Sequence, residues 1–267
     1  MTGVQSSLSY VDDEWPVEIP RPPTVDELPY DDGVPMESQW HRDQMNLLAD
    51  VGRDATAARG DVYVAGNMGL FYSASQKKPK NEHRAPDCMV IIGAEDPLTP
   101  RKAWVIWEED ALAPSIIVEV TSDSTAHVDR GEKKRIYEQK LKIPDYIIFD
   151  HLERTIEAYR MRPGGGYEPA PLSPDGRVEF PALGLALGTW KGTLNLQAPC
   201  TWLRWYDLDG VVVPTERERR QQEAARAEQE AARAEQEAAR AEKANRERDA
   251  ALARVRELEA RLSDLSR

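Results

Sequence analysis

Along the chain the apolar positions first recur at helical spacing. In "ESQWHRDQMNLLADVG", Trp40, Leu47, Leu48 and Val51 form one stripe with Met45 on its flank, which predicts a helix beginning near Glu37 and stopping at Gly52. The period then shortens to that of sheet. "DVYVAGNMGLFYS", "PDCMVIIG", "KAWVIWEE" and "SIIVEVTS" are short β-rich runs divided by Gly, Pro and polar clusters, and they predict strands. After "SDST", the segment "DRGEKKRIYEQKLK" is rich in helix formers, sets Ile136, Tyr137 and Leu141 on one side, and is ended by Pro144. "DYIIFD" reads as a buried strand, "TIEAYRM" alternates, "PGGGYEP" is a turn, and the short runs up to "YDLDGVVV" are expected to be peripheral hairpins. Strands, a helix and further strands make an α/β or α+β sheet domain with helices on at least one face.

From Thr215 the period becomes seven. "AARAEQE" occurs twice in succession and "AARAEKA" follows, so residues 215–267 form a long helix. Ala227, Ala234, Ala241, Arg248, Val255 and Leu262 share one heptad position, so the stripe is thin early and gains bulk only near "VRELEARLSDL". Its first half suits a solvated helix held by Glu/Arg pairs as well as it suits a coiled coil. For the last two heptads self-association into a homo-oligomer is expected. At the other end, residues 1–36 read as an extended Pro-rich arm, which leaves residues 37–214 as the folded domain.

Charge is unevenly spread among these parts. The 267 residues carry a formal net charge of -12. In the arm, Asp12, Asp13, Glu14, Glu18, Asp26, Glu27, Asp31 and Asp32 are opposed by Arg21 alone. The tail from Thr215 is neutral, with 13 bases and 13 acids. A general polyanion binder is therefore excluded, and any nucleic-acid contact must be local or metal-assisted. Cys88 and Cys200 are too few for a disulfide framework or a zinc cage. No stretch approaches the roughly 20 apolar residues that span a bilayer, and the first residues lack the basic and apolar parts of a signal peptide. No membrane association and a cytoplasmic location are the expectation.

The chemistry concentrates at one interruption. Ile116, Ile117, Val118 and Val120 are the β-branched filling of a buried strand, and Glu119 sits among them. A carboxylate taken out of water needs a cation to meet it. Asp87 opens "PDCMVIIG", so adjacent strands would bring the two acids together, where they repel unless a divalent ion lies between them. Oxygen ligands favour Mg²⁺ or Mn²⁺, and no His/Cys spacing suggests zinc. In the helix that follows, Lys133 has Asp129 and Tyr137 four residues to either side on the same face. Two metal-binding acids beside an ammonium suit hydrolysis of a phosphodiester, although the same residues also suit an ordinary salt bridge. His41, His83, His127 and His151 are scattered without ligand spacing and read as surface or structural residues. Lys77, Lys78, Lys80 and Arg84 form the basic cluster of the domain, either a solvated loop or a phosphate-backbone contact. Tyr72 in "GLFY" reads as core packing or as a stacking platform.

The segment from "APDCMVIIG" through "SIIVEVTSDSTAHVDRGEKKRIYEQKLKIPDYIIFD" to "EAYRM" resembles the Uma-two (DUF820-like) family of restriction endonucleases, a branch of the PD-(D/E)XK nuclease superfamily. The likeness spans roughly residues 37 to 200 and is strongest in "VEVTS.ST", "D.GEK...Y" and "PDYIIFD". It implies a restriction-endonuclease-like mixed sheet flanked by helices and a Mg²⁺- (or Mn²⁺-) dependent endonuclease acting on nucleic acid, with DNA the expected substrate. Carried over by position, Asp87 matches the first metal-binding acid and Glu119 the second, with the Val120 carbonyl as an added ligand. The superfamily's lysine two residues after the second acid is here Thr121. The "GEK" match makes Lys133 its counterpart, ahead of Lys134. Asp129, Tyr137 and Ser122 match as supports. The other expectation is a nuclease-like module that no longer cleaves and assembles through its coiled coil.

Overall fold

The computed structural model describes residue 24 and residues 38–74, 82–121, 126–194 and 198–265, with final-helix side chains placed through Glu259 and at Arg261. The rest of the acidic arm, Lys77, Lys78, Lys80, Ser122 and the side chain of Leu262 lie outside the described residues.

Helix α1 (Gln39–Thr56) starts where Ser38, in extended backbone, accepts the His41 N–H at 3.1 Å, the side-chain cap a first turn requires. It does not stop at Gly52. A Cβ there would stand 3.2 Å from both Trp205 Nε1 and Val64 Cγ1, so this glycine serves a close helix-to-sheet approach rather than a helix end. The helix is fastened by polar groups as well as apolar ones. Buried Gln44 exchanges hydrogen bonds of 2.9 and 2.8 Å with the Leu203 carbonyl and N–H, and Trp205 Nε1 donates to the Leu48 carbonyl at 2.9 Å.

Beneath α1 lies a six-stranded mixed sheet built from β1 (Val62–Ala65), β4 (Cys88–Ile92), β6 (Ile116–Thr121), β7 (Asp145–Asp150), β8 (Thr155–Met161) and β9 (Tyr167–Pro169), in that spatial order. The central pair β6 and β7 is parallel and its neighbours antiparallel. A parallel pair needs a crossover. Residues 126–140 supply it as a short turn, α2 (Ala126–Val128), followed by two wider π-helical turns, Asp129–Lys133 and Ile136–Lys140. The short strands β2 (Leu70–Phe71), β3 (His83–Arg84) and β5 (Trp104–Val105) make a small side sheet. Leu70 and Phe71 are fully buried, and the partly buried Tyr72 packs against the core of the second face with Lys140 over its ring.

Strands β10 (Val178–Phe180), β11 (Leu185–Gly192) and β12 (Cys200–Asp207) form a third, antiparallel sheet. They are not peripheral hairpins. Leu187, Leu203 and Trp205 join Leu48, Val64, Val90, Val118 and Phe149 in one core on the first face of the main sheet. On the other face Met89, Ile91, Ile117, Tyr146 and Ile148 pack with Ile136 and Tyr137 of the crossover. The alternation along β6 follows: Ile116, Val118 and Val120 face the first core, while Ile117 faces the second. Both faces are covered, which is why the strand reads as continuous apolar sequence.

The chain divides into two compact units with the break between Val213 and Pro214. The second is helix α3 (Glu216–Leu265), capped where Thr215 and Glu218 each accept from the other's backbone N–H, at 3.2 and 2.8 Å. Its described side chains are exposed or half-exposed, and ion pairs four residues apart, such as Arg261 with Glu257 at 2.8 Å, run along it. Among the described residues no helix is long and apolar enough to cross a membrane.

Replacing Gln44 by Leu strands a buried N–H and carbonyl of Leu203. The unfolding free energy measured by urea titration is expected to fall by about 2–4 kcal/mol.

Candidate functional site

The crossover decides what meets Glu119. It returns the chain across the second face of the sheet, so Lys133 and Tyr137 come down on β6 from above. Tyr137 donates its hydroxyl to Glu119 Oε1 at 2.7 Å, and Lys133 Nζ lies 3.0 Å from Oε2. The same ammonium is 2.9 Å from Asp129 Oδ1, and the Asp129 carbonyl accepts the Tyr146 hydroxyl at 3.0 Å. The four-residue spacing of Asp129, Lys133 and Tyr137 thus converges although the segment is wound more widely than an α-helix. Such wide turns are frequent at functional sites. Lys134 goes elsewhere, its Nζ 3.5 Å above the Tyr159 ring, which separates it from Lys133.

Asp87 enters along the strand ladder. Pairing of Cys88 with Val118 carries the preceding residue alongside Glu119, and Asp87 Oδ2 accepts the Val120 N–H at 2.6 Å. Its other oxygen, Oδ1, is 3.0 Å from His41 Nε2. The structure therefore brings together Asp87, Glu119, Asp129, Lys133 and Tyr137, with Val120 supplying its N–H. Ser122 lies outside the described residues.

His41 is the residue that sequence reading missed. In the sequence it has no ligand spacing to the other histidines, and only the docking of α1 on the sheet reveals it. Of the others, His127 is exposed, His83 stacks on Phe71, and His151 donates Nδ1–H to the Thr121 carbonyl at 2.6 Å. Arg84, from the basic cluster, pairs with Glu132 at 2.5 Å.

The electrostatics are unbalanced. Among the described residues Asp87, Glu119 and Asp129 gather around Lys133, with His41 against Asp87, so carboxylates outnumber the lysine they share. Burial, opposed by Lys133 and reinforced by Asp87 and Asp129, raises the Glu119 carboxyl from its ordinary 4.5 to about 7. For Lys133 burial works downward, but Glu119, Asp129 and Asp87 outweigh it and hold the ammonium above its ordinary value. Burial, then the Glu119 charge, pushes the Tyr137 hydroxyl well up.

This donor set fits a divalent cation. Three carboxylates around one lysine leave room for a further cation, and among the described residues each oxygen of Asp87 and Glu119 accepts one hydrogen bond where a carboxylate oxygen has two acceptor sites. Among the described residues no three His, Cys, Asp or Glu side chains form a cage. Mg²⁺ needs none, because it is held through one or two carboxylates with water and phosphate completing its octahedron. The open side is fixed by exposure: the side chains of His41, Asp87 and Lys133 are 12, 15 and 21 % exposed, whereas Glu119 and Asp129 are each 1 %.

A mixed α/β sheet with paired acids and a lysine at the end of its central strands is the setting in which the family comparison falls. Residues 25–197 match the Uma2 family, described as "Putative restriction endonuclease", and the chain belongs to that family. No curated protein matches the chain. A crystal structure described as a "putative nuclease belonging to DUF820", from Anabaena variabilis, is similar at 19 % identity over 61 % of this chain and 91 % of that one, with a TM-score of 0.42.

Because the Glu119 carboxyl is raised on folding, its contribution is full below about 4.5 and is lost as pH climbs through about 7. In EDTA, the thermal midpoint of Glu119→Gln minus that of the wild type is expected to grow across this window. A flat difference would show that Glu119 is not held in this state.

Proposed function

We propose that the protein is a metal-dependent nuclease that hydrolyses phosphodiester bonds of nucleic acid, DNA in the first instance. The observation that carries it is the fully buried Glu119 beside Asp87, with Lys133 Nζ 3.0 Å away and Asp129 against the same lysine. Asp87 and Glu119 would hold Mg²⁺ or Mn²⁺, with the Val120 carbonyl as a further ligand. When bound, the ion supplies a polarised phosphoryl oxygen and an acidified water.

The chain's own groups have separable tasks. Tyr137 fixes Glu119 through its hydroxyl, and the Val120 N–H fixes Asp87. Lys133 remains an ammonium because three carboxylates raise it, so it orients water and meets developing negative charge instead of removing a proton. Asp129 keeps that ammonium beside Glu119. Arg130, bound to Asp150 at 2.8 Å and Glu157 at 2.7 Å, braces the start of the crossover against β7 and β8.

Cleavage of plasmid and single-stranded substrates with Mg²⁺ or Mn²⁺ is expected for the wild type and lost in Glu119→Gln and Asp87→Asn. Lys133→Ala is expected to lower kcat by about 10²–10³-fold. Equal activity in wild type and Glu119→Gln would end the proposal.

A second reading, a non-cleaving module that assembles through α3, is favoured by the half-exposed Leu252, Val255 and Leu258 on that helix, at 50, 50 and 53 %. Under it, calorimetry finds no saturable Mn²⁺ binding that Asp87→Asn removes. Self-association belongs to both readings. Sedimentation of the full chain is expected to show an oligomer that Val255→Glu with Leu258→Glu converts to monomer.

A further inference from the structure

We infer that His41 is a positioning residue of the proposed metal centre, holding Asp87 in the orientation the ion requires. The inference rests on the reading of Asp87 as a metal ligand. As a metal ligand Asp87 would be a carboxylate that only accepts, so under this reading Nε2 carries the hydrogen in the 3.0 Å contact with Asp87 Oδ1. The Val120 N–H binds the second oxygen at 2.6 Å. Two donors from two different elements, α1 and β6, therefore fix the plane of one carboxylate. Without His41, Asp87 keeps, among the described residues, the Val120 N–H as its donor and can turn about it.

The imidazole is itself held in place. Its backbone N–H is the one that Ser38 caps, at 3.1 Å. The neighbouring Trp40 stacks on His151, with ring centroids 4.9 Å apart, and on Trp202 at 5.7 Å, while His151 is tied to the end of β6 through the Thr121 carbonyl. The first turn of α1 is thus clamped to the strand that carries Glu119, and His41 reaches Asp87 from a rigid platform. With 12 % of its side chain exposed, it lies on the same open side as Asp87 and Lys133. Removal of such a supporting group costs 10–100-fold in metal affinity in well-studied sites.

The test is calorimetric titration of Mn²⁺ into the metal-free full-length protein as wild type, His41→Ala and His41→Gln. A glutamine places an amide N–H near the position of Nε2. Binding is expected to weaken 10–100-fold in His41→Ala and to return to within about threefold of wild type in His41→Gln. Wild-type affinity in His41→Ala would overturn the inference. So would equal losses in both variants, since the effect would then come from packing and not from the donor. Failure of the wild type to bind Mn²⁺ would instead remove the reading of the site as a metal centre, and this inference with it.

Discussion

A carboxylate buried in the middle of a sheet persists only if its charge is met, and the elements around β6 are arranged to meet that of Glu119. Tyr137 and Lys133 come from the crossover above it, and Asp129 holds Lys133 in place. Removing one member of such a buried set leaves a charge without a partner, which typically costs 3–5 kcal/mol. The fold therefore depends on the same contacts that give the site its character. What the protein leaves unbalanced is equally specific: a buried Glu119 carboxyl, raised, with the partly exposed Asp87 between it and solvent.

Much of this cluster was legible because it is local. Glu119, Asp129, Lys133 and Tyr137 fall within one strand and the helical segment that follows, and spacings of four keep them on one face even when the winding widens. Asp87 was legible from its place at the head of an apolar strand. His41 was not, since it stands 46 residues before Asp87 and reaches it through a helix docked by long-range contacts such as Gln44 with Leu203, 159 residues away. No local pattern encodes a contact of that range.

The third sheet was expected as peripheral hairpins because its runs are short. In "CTWLRWYD" even Arg204 is buried, donating to the Val213 carbonyl at 2.9 Å and lying 4.9 Å from the Trp190 ring centre. A charged residue with a carbonyl and an aromatic face for company can occupy an interior position. Gly52 misled in the opposite sense. Its signature is that of a helix end, whereas its use is steric.

That glycine has a reach beyond its own surroundings. Helix α1 is one rigid rod, and Gly52 and His41 lie 11 residues apart on it, a span of about 17 Å at the rise of an α-helix. The spacing between rod and sheet is set by the missing methyl group at one end, and the imidazole rides at the other. A change of a few tenths of an ångström at the far end tilts the rod, so a substitution remote from every acid in the site acts as a lever on it.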